Sequence, residues 1–324
     1  MRLMVIGTGS IGLRHLAVLK GLGEHDLACV EPDAERRKEA WRFTGKQNAY
    51  ASLEDADAFQ VGLVCTPTHR HVDDALAVLK CGANLIIEKP VAHEMHRGDQ
   101  LQQAAKDALV MVACPMRFHL GISELQKQVQ QMPTPPWTAR AWYRQAMAEW
   151  RPNRDASQVY SAHRQQGGGL FLDRIHELDL MRWLFGDPSQ VRASVTHDDR
   201  VSFGDVEANA YGHMVHDTPH GQVFTSVDLD CVSPGYHNGV QVIGAGWTLI
   251  VNTAPEVDGK AQMQGWDQAM IDQSRHWIRC LHGDEEPVQD LMSAYRVLQT
   301  AIALYVSAET NTWCALNQPE AKAA

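Results

Sequence analysis

A glycine-rich segment constrains the fold of this chain more than any other feature. Gly7-Thr8-Gly9-Ser10-Ile11-Gly12 directly follows the apolar run of residues 3–6 and opens a segment with helical spacing of apolar residues. After a strand, GxGxxG is typical of dinucleotide-binding units, because its glycines permit a tight turn, close approach of a pyrophosphate and close helix–strand packing. The helix N-terminus adds N–H groups. We therefore expect cofactor contacts at Gly7, Gly9, Ser10, Ile11 and Gly12; a turn that binds nothing is the alternative.

Further short apolar runs follow, at residues 27–30, 61–65, 85–87 and 109–114, with helical patterns between them. Continuous apolar runs, rather than alternating ones, are typical of strands buried on both faces of a parallel sheet. Glycines at the ends of two helical patterns, Gly21 and Gly82, suit helix C-termini. The sequence predicts an α/β Rossmann domain with a doubly wound parallel sheet over residues 1–119.

The pattern changes after three prolines, Pro133, Pro135 and Pro136. Strand-like runs then follow one another without crossover helices, which favours a large, mostly antiparallel open sheet. Helical patterns at residues 266–281 and 288–307 complete this part, and residues 317–324 are polar and expected to fray. We predict an α+β domain over residues 120–324.

The composition excludes several classes of partner. The formal net charge is −10 and the 29 Lys and Arg residues form no basic block, which argues against nucleic acid or an anionic membrane as partner. The seven cysteines are scattered, with no CxxC pair and no spacing suited to a metal site, which predicts a reducing compartment. No apolar stretch reaches the length of a membrane span. We expect a cytoplasmic protein that acts on small molecules and holds no metal.

An acidic residue indicates which dinucleotide is bound. Glu31 closes the second strand about 20 residues beyond Gly12, where a carboxylate hydrogen-bonds the adenosine ribose of NAD. The same carboxylate would repel the 2′-phosphate of NADP, and the nearest cations, Arg36 and Arg37, come only after the next helix has begun. The sequence therefore favours NAD, although a solvated Glu31 and acceptance of NADP both stay open.

Two further segments follow strands of the predicted parallel sheet. They are Thr66-Pro67-Thr68-His69-Arg70-His71 and Glu88-Lys89-Pro90. Ligands of open parallel sheets bind outside the carboxyl ends of the strands, so both segments should face the cofactor. Lys89 could then reach a reacting hydroxyl, whereas a surface turn with a local ion pair is the alternative.

A third segment suits acid–base chemistry. Three glycines, Gly167 to Gly169, precede Asp173, His176 and Asp179, which recur at i, i+3 and i+6 along a predicted helix. A carboxylate one turn from an imidazole can orient it as a general base, which is what oxidation of a secondary alcohol requires. A capping Asp173 beside a histidine with an ordinary structural role is equally compatible with these residues.

Cationic and aromatic residues precede the glycines. Arg144, Arg151, Arg154, Tyr160 and His163 lie in what we predict to be a loop. They could bind a diphosphate or a sugar, or they could simply be surface charge.

These motifs together resemble the Gfo/Idh/MocA oxidoreductases over nearly the whole chain. The resemblance rests on GTGSIGLRH from Gly7, TPTHRH from Thr66, EKP from Glu88, Arg117-Phe118, and the glycines followed by Asp173 and His176. It implies a Rossmann domain followed by an open antiparallel sheet used in oligomer contacts, here a homodimer or homotetramer. It also implies that Lys89 lies between nicotinamide and substrate.

Two departures from the family pattern bear on the substrate. Asp173 and His176 have two intervening residues instead of three, and Pro115 stands where many relatives have Asn, which puts cofactor contacts from that loop in doubt. The DxxHExD form resembles a branch that acts on bacterial surface-polysaccharide sugars. This implies oxidation of the C3 hydroxyl of a UDP-amino sugar such as UDP-N-acetylglucosamine.

The residues alone leave other functions open: a dehydrogenase of a free sugar or inositol, a redox-neutral NAD-dependent glycosidase, and a dinucleotide sensor without activity. For the dehydrogenase, the expected catalytic residues are Lys89, Asp173 and His176. The expected cofactor contacts are Gly7, Gly9, Ser10, Ile11, Gly12, Glu31, Thr66, Pro67, His71, Glu88, Lys89 and Arg117, and the expected substrate contacts are Lys89, Arg154, Tyr160, His163, Asp173 and His176.

Overall fold

The computed structural model describes residues 1–23, 26–150, 155–198, 204–253, 256–257, 260–261 and 265–316. The chain forms two compact units. The first comprises Met1–Pro115 and Asp267–Tyr295, and the second comprises Met116–Trp266 and Arg296–Ala324.

The first 115 residues fold as alternating strands and helices. The elements are β1 (Arg2–Ile6), α1 (Ser10–Gly21), β2 (Asp26–Val30), α2 (Ala34–Thr44), β3 (Ala49–Tyr50), β4 (Val61–Val64), α3 (His71–Lys80), β5 (Asn84–Ile87), α4 (Met95–Ala104) and β6 (Val110–Val112). The six strands form one parallel sheet in the order β3-β2-β1-β4-β5-β6. This confirms the predicted Rossmann fold. The strand order reverses between β1 and β4, which is where ligands bind in such sheets.

The rest of the chain supplies a second sheet and most of its covering helices. The elements are α5 (Leu120–Gln131), β7 (Pro136–Arg144), α6 (Met147–Trp150), α7 (Leu170–Asp173), α8 (Ile175–Phe185), β8 (Pro188–Thr196), β9 (Asn209–Thr218), β10 (Gly221–Asp230), β11 (His237–Gly244), β12 (Trp247–Asn252), β13 (Glu256–Val257), β14 (Lys260–Ala261), α9 (Trp266–His282), α10 (Leu291–Thr310) and β15 (Cys314–Ala315). Seven strands form one sheet in the order β12-β11-β7-β10-β9-β8-β15, antiparallel except where β7 meets β10. The predicted α+β architecture is confirmed.

The first unit gains a segment that the sequence analysis assigned to the second domain. Trp277 and Cys280 of α9 are buried in the core of the parallel sheet. Val112 donates its N–H to the carbonyl oxygen of Gln289 at 3.0 Å, and Met111 pairs with Asp290 in a β-bridge. Periodicity identifies such a helix but not its distant partner, so the predicted division at residues 119 and 120 differs from the structure in this segment.

Strand β7 shows how the second sheet divides its faces. Ala139, Ala141 and Tyr143 are buried on the face that α8 contacts, whereas Arg140 and Arg144 are exposed on the other face. Arg144 pairs with Asp228 of β10 there. Arg144 was expected in a loop with the substrate residues, and that expectation was wrong, because it continues the alternation of a strand.

None of the helices in the described part of the chain combines the length and hydrophobicity that a membrane crossing requires.

Candidate active site

The glycine-rich turn has the geometry that a pyrophosphate site needs. Gly7 has a φ of +89°, which favours glycine, and donates its N–H to the carbonyl oxygen of Val30 at 2.9 Å. A Cβ on Gly12 would lie 2.0 Å from the carbonyl oxygen of Gly7, so only glycine allows α1 to pack this closely. A Cβ on Gly9 would lie more than 4 Å from the residues that the structure describes, its two chain neighbours apart. Gly9 stands at the N-cap of α1 and supplies no side-chain cap to the helix that Ser10 and Ile11 begin, so the turn fits an anion.

The Glu31 carboxylate lies beside this turn and is only 3% exposed. It accepts the N–H of Thr8 at 3.0 Å and that of Asp33 at 3.1 Å, and it pairs with Arg36 at 3.1 Å. Arg37 instead donates to the main-chain oxygen of Glu31 at 2.5 Å. Since Glu31 already neutralises Arg36, the nearest cation is not poised for a 2′-phosphate, in keeping with the expected preference for NAD.

The turn after β4 is tied to the turn after β5 by His71. Its Nδ1 lies 2.7 Å from the carbonyl oxygen of Pro90, and its Nε2 lies 2.8 Å from that of Thr66. Both partners only accept hydrogen bonds, so the ring donates to one of them when neutral and to both when protonated. Thr66 donates its hydroxyl to Asp74 at 2.6 Å. These contacts hold Thr66 and Pro67, two expected cofactor residues, beside the Glu88-Lys89-Pro90 segment.

Glu88 is buried and holds its own segment in place. One oxygen of its carboxylate lies 2.8 Å from Nε2 of His15, and the other accepts the N–H of Lys89 at 3.1 Å. Burial acts to raise the pKa of Glu88, but His15 and the charge of Lys89 outweigh it and hold that pKa below its usual range. Glu88 is therefore an ionised structural anchor for Lys89, whose side chain is half-buried.

In the second unit, Asp173 and His176 stand on consecutive short helices. Helix α7 ends at Asp173, Arg174 breaks the helix with φ −101° and ψ 35°, and α8 begins at Ile175. The predicted single helix is therefore interrupted, and the i, i+3 face is not continuous. Asp173 is 5% and His176 is 4% exposed.

Two aromatic side chains contact this pair. Tyr160 donates its hydroxyl to Oδ1 of Asp173 at 3.3 Å, which places one expected substrate residue at the site. The indole of Trp266 packs edge-to-face on the His176 ring with centroids 5.8 Å apart. Trp266 carries no sequence signal for this contact, because it lies far along the chain from His176.

The start of α7 depends on a buried carboxylate that the sequence analysis also missed. Glu207, fully buried, accepts the N–H of Leu170 at 2.6 Å and the hydroxyl of Tyr305 at 2.8 Å. Tyr305 in turn accepts the N–H of Phe171 at 3.1 Å. Gly169 has a φ of +110°, and a Cβ there would lie 2.4 Å from the Tyr305 hydroxyl. Because Gly169 has no side chain, Glu207 and Tyr305, both distant in sequence, can approach and cap the N-terminus of α7.

Two more charged pairs brace α8. Arg117 donates from Nε and from a terminal nitrogen to both oxygens of Asp179, at 2.8 and 2.7 Å, and both side chains are buried. Glu177 pairs with Arg174 at 3.0 Å and accepts from Asn238 at 3.0 Å. Arg117 was expected at the cofactor, and the structure places its guanidinium on Asp179.

The remaining expected substrate residues separate. Nε2 of His163 lies 2.9 Å from the carbonyl oxygen of Ser157. The ring can donate to that oxygen, so His163 stabilises its own loop. Arg151 and Arg154 lie outside the described residues. Lys89 belongs to the first unit, and Asp173, His176 and Tyr160 belong to the second.

The cap on α7 yields a prediction. Glu207→Gln replaces one acceptor oxygen with a donor and removes the charge that faces Arg164, so we expect the free energy of unfolding to fall by about 1–3 kcal/mol. Urea unfolding measures this, with the exposed Glu309→Gln as matched control. Unchanged stability in Glu207→Gln would refute the capping role.

Two family profiles match the chain. Residues 1–115 match the oxidoreductase family GFO_IDH_MocA, described as an NAD-binding Rossmann fold, and residues 136–249 match the GFO/IDH/MocA C-terminal domain. NAD is accordingly the cofactor of the first unit, in agreement with the geometry of its glycine-rich turn.

Curated relatives share part of their length with this chain. Myo-inositol dehydrogenase Hyg17 of Streptomyces leeuwenhoekii is 25% identical over 57% of the chain, and myo-inositol 2-dehydrogenase of Thermotoga maritima is 26% identical over 64% of it. The chain spans 56% and 63%, respectively, of the length of these two relatives.

Solved structures share the fold over almost the whole chain. The WlbA dehydrogenase from Bordetella pertussis, in complex with NADH and UDP-GlcNAcA, has a TM-score of 0.81 at 18% identity and covers 98% of this chain and 99% of its own. Myo-inositol 2-dehydrogenase from Lactobacillus plantarum has a TM-score of 0.82 at 16% identity, with the same coverage of both chains. With both domain profiles matched in order, the chain belongs to the GFO/IDH/MocA oxidoreductase family.

Proposed function

We propose that this protein is an NAD-dependent dehydrogenase that oxidises a secondary hydroxyl of a sugar to a ketone. The observation that carries the proposal is the pair Asp173 and His176, both buried and separated by one helix-breaking residue and Ile175. A carboxylate and an imidazole of this kind can supply a general base with a stabilised charged form.

In the proposed reaction the residues take distinct roles. Bound NAD supplies the redox chemistry by accepting a hydride. His176 accepts the hydroxyl proton, and Asp173, fixed by the hydroxyl of Tyr160, orients the imidazole and stabilises its charge. Lys89 polarises the substrate oxygen or relays its proton, and its ammonium suits an oxygen on which negative charge develops.

The substrate that we propose is a UDP-amino sugar oxidised at C3, such as UDP-N-acetylglucosamine, in the synthesis of lipopolysaccharide or lipid A precursors. Two observations support it. The DxxHExD segment from Asp173 resembles that of UDP-N-acetylglucosamine 3-dehydrogenase, and the WlbA dehydrogenase, whose structure contains UDP-GlcNAcA, has the same fold. Free inositol is the second candidate, because most of the curated relatives are named inositol dehydrogenases.

The first test is a substrate panel. Purified protein with NAD receives UDP-N-acetylglucosamine, other UDP-sugars, free sugars and inositol, with an aminotransferase present to remove the ketone, and NADH absorbance is followed. We expect a signal with UDP-N-acetylglucosamine. A signal with inositol alone would reject the nucleotide-sugar substrate but keep the dehydrogenase. NAD retained through purification with glycoside cleavage and no net NADH would indicate a redox-neutral glycosidase, and NAD binding without turnover would indicate a sensor.

The roles of base and polarising group can be separated. His176→Ala should slow single-turnover hydride transfer by about 10²- to 10⁴-fold, because the hydroxyl proton loses its acceptor. Rapid-mixing absorbance measures the step, and His216→Gln, a buried histidine that contacts Gly186 and Thr225, is the control. If His176→Ala kept most of the rate and Lys89→Ala lost it, the two roles would be exchanged.

We also propose that a second copy of the chain covers the open face of the large sheet. The strand register places Ile250, Arg140, Phe224 and Tyr211 on this face, and the three apolar or aromatic ones are 58%, 53% and 39% exposed. Exposed apolar side chains grouped on one face are typical of an interface.

Self-association through this face predicts a change of mass. The wild-type chain should sediment as a dimer or tetramer of its 36.1 kDa subunit, and Phe224→Glu with Ile250→Glu should sediment as a monomer, because buried carboxylates oppose the contact. Leu120→Glu, at a residue 72% exposed on α5, is the matched control. A monomeric wild-type protein, or an oligomeric double variant, would contradict the proposal.

A further inference from the structure

Two buried histidines flank Lys89 from different helices. His15 belongs to α1 and is fully buried, and His71 begins α3 and is 2% exposed. Neither would touch the reacting atoms in the mechanism proposed above, yet each contacts a residue next to Lys89. Buried polar side chains are costly unless their contacts are satisfied, so these contacts have a defined function in the fold.

The contact on the N-terminal side passes through Glu88. Nε2 of His15 lies 2.8 Å from one carboxylate oxygen of Glu88, and the other oxygen accepts the main-chain N–H of Lys89 at 3.1 Å. Trp277 packs against the His15 ring with centroids 5.4 Å apart. Both oxygens of the Glu88 carboxylate therefore make hydrogen bonds, and a shift of α1 would move the main chain of Lys89.

The contact on the C-terminal side passes through Pro90. Nδ1 of His71 lies 2.7 Å from the Pro90 carbonyl oxygen, while Nε2 lies 2.8 Å from that of Thr66. Because β4 and β5 are neighbours in the sheet, His71 fixes the turn after β5 to the turn after β4. The residues on both sides of Lys89 are therefore fixed.

We propose that His15 and His71 are positioning residues that set the reach of the Lys89 ammonium. A lysine side chain is long and flexible, so the position of its main chain sets the region that its amine can reach. A displacement of about 1 Å in a catalytic group can cost about 100-fold in rate. Helix α1 also follows the glycine-rich turn at its N-terminus. One helix therefore supports both the expected pyrophosphate site and, through His15 and Glu88, the main chain of Lys89. The inference rests on the proposed role of Lys89.

The test compares variants that remove each contact with variants that keep it. His15→Leu and His71→Leu remove the polar atoms, whereas His15→Gln and His71→Asn retain a side-chain N–H. We expect both Leu variants to lower kcat by about 100-fold on the panel compound that turns over. For His15→Leu, which replaces no expected cofactor contact, the Kd for NADH should change less than about threefold. The Gln and Asn variants should have a kcat at least about tenfold higher than that of the corresponding Leu variants.

Lys89→Met separates this inference from the proposed function. If Lys89→Met alone leaves kcat unchanged, the proposed role of Lys89 fails. If Lys89→Met is slow but His15→Leu and His71→Leu are as fast as wild type, the positioning role fails. If His15 acts through Lys89, adding His15→Leu to Lys89→Met should not lower kcat further. If the double variant loses as much kcat again as His15→Leu loses alone, the positioning role is overturned. His216→Gln controls for the general effect of replacing a buried histidine.

A readout on Lys89 itself needs no substrate. Lysines are methylated with ¹³C-formaldehyde, and the Lys89 resonance is assigned by its absence in Lys89→Arg. We expect His15→Leu to move the titration midpoint of Lys89 by about 0.5 pH unit or more, because its amine leaves its present surroundings. His216→Gln should leave the midpoint in place. An unchanged midpoint in both His15→Leu and His71→Leu overturns the proposal even if no panel compound reacts.

Discussion

The close approach of α1 to the turn after β1 is the constraint on which the rest of the first unit depends. A Cβ on Gly12 would lie 2.0 Å from the carbonyl oxygen of Gly7, so a side chain at this position would push the helix away. The same helix carries His15, whose contact with Glu88 requires α1 to be close to the sheet. Displacement of α1 would therefore disturb both the anion-binding N-terminus and the anchor of Lys89. The absence of a side chain at Gly12 thus connects the geometry of the glycine-rich turn with the placement of Lys89.

Local signals predicted the parts of this structure that local physics determines. The spacing from Gly7 to Gly12 and the apolar runs at β1, β2, β4 and β5 identified the Rossmann sheet, since a strand buried on both faces leaves a continuous apolar run. Periodicity also found α9. It could not indicate that Trp277 of this helix packs in the first core, because nothing within a helix encodes which distant sheet covers its apolar face.

The candidate site shows the same division. Asp173 and His176 were identified from their spacing, and their roles stay predictions. Glu207, which caps α7, lies on no recognisable motif and is found only when the chain is folded. The break at Arg174 also escaped prediction, because Arg is a good helix former and its non-helical conformation accompanies a contact with Tyr143, which is distant in sequence, beside the local ion pair with Glu177. The ion pair of Arg117 with Asp179 could not be predicted either, because the two residues are distant in sequence and meet only in the folded chain.

The fold and the substrate are separate questions in this family. Two solved structures share this fold with TM-scores of 0.81 and 0.82; one contains UDP-GlcNAcA and the other is described as a myo-inositol 2-dehydrogenase, so the fold alone does not identify the substrate. The groups that the proposed hydride transfer uses in this chain lie on the turn before α1, the segment after β5, and α7 with α8. A larger ligand must be accommodated by residues beyond this set. Under the proposed mechanism Tyr160 cannot vary independently of the chemistry, because its hydroxyl donates to Asp173 from a loop of short 3₁₀ turns.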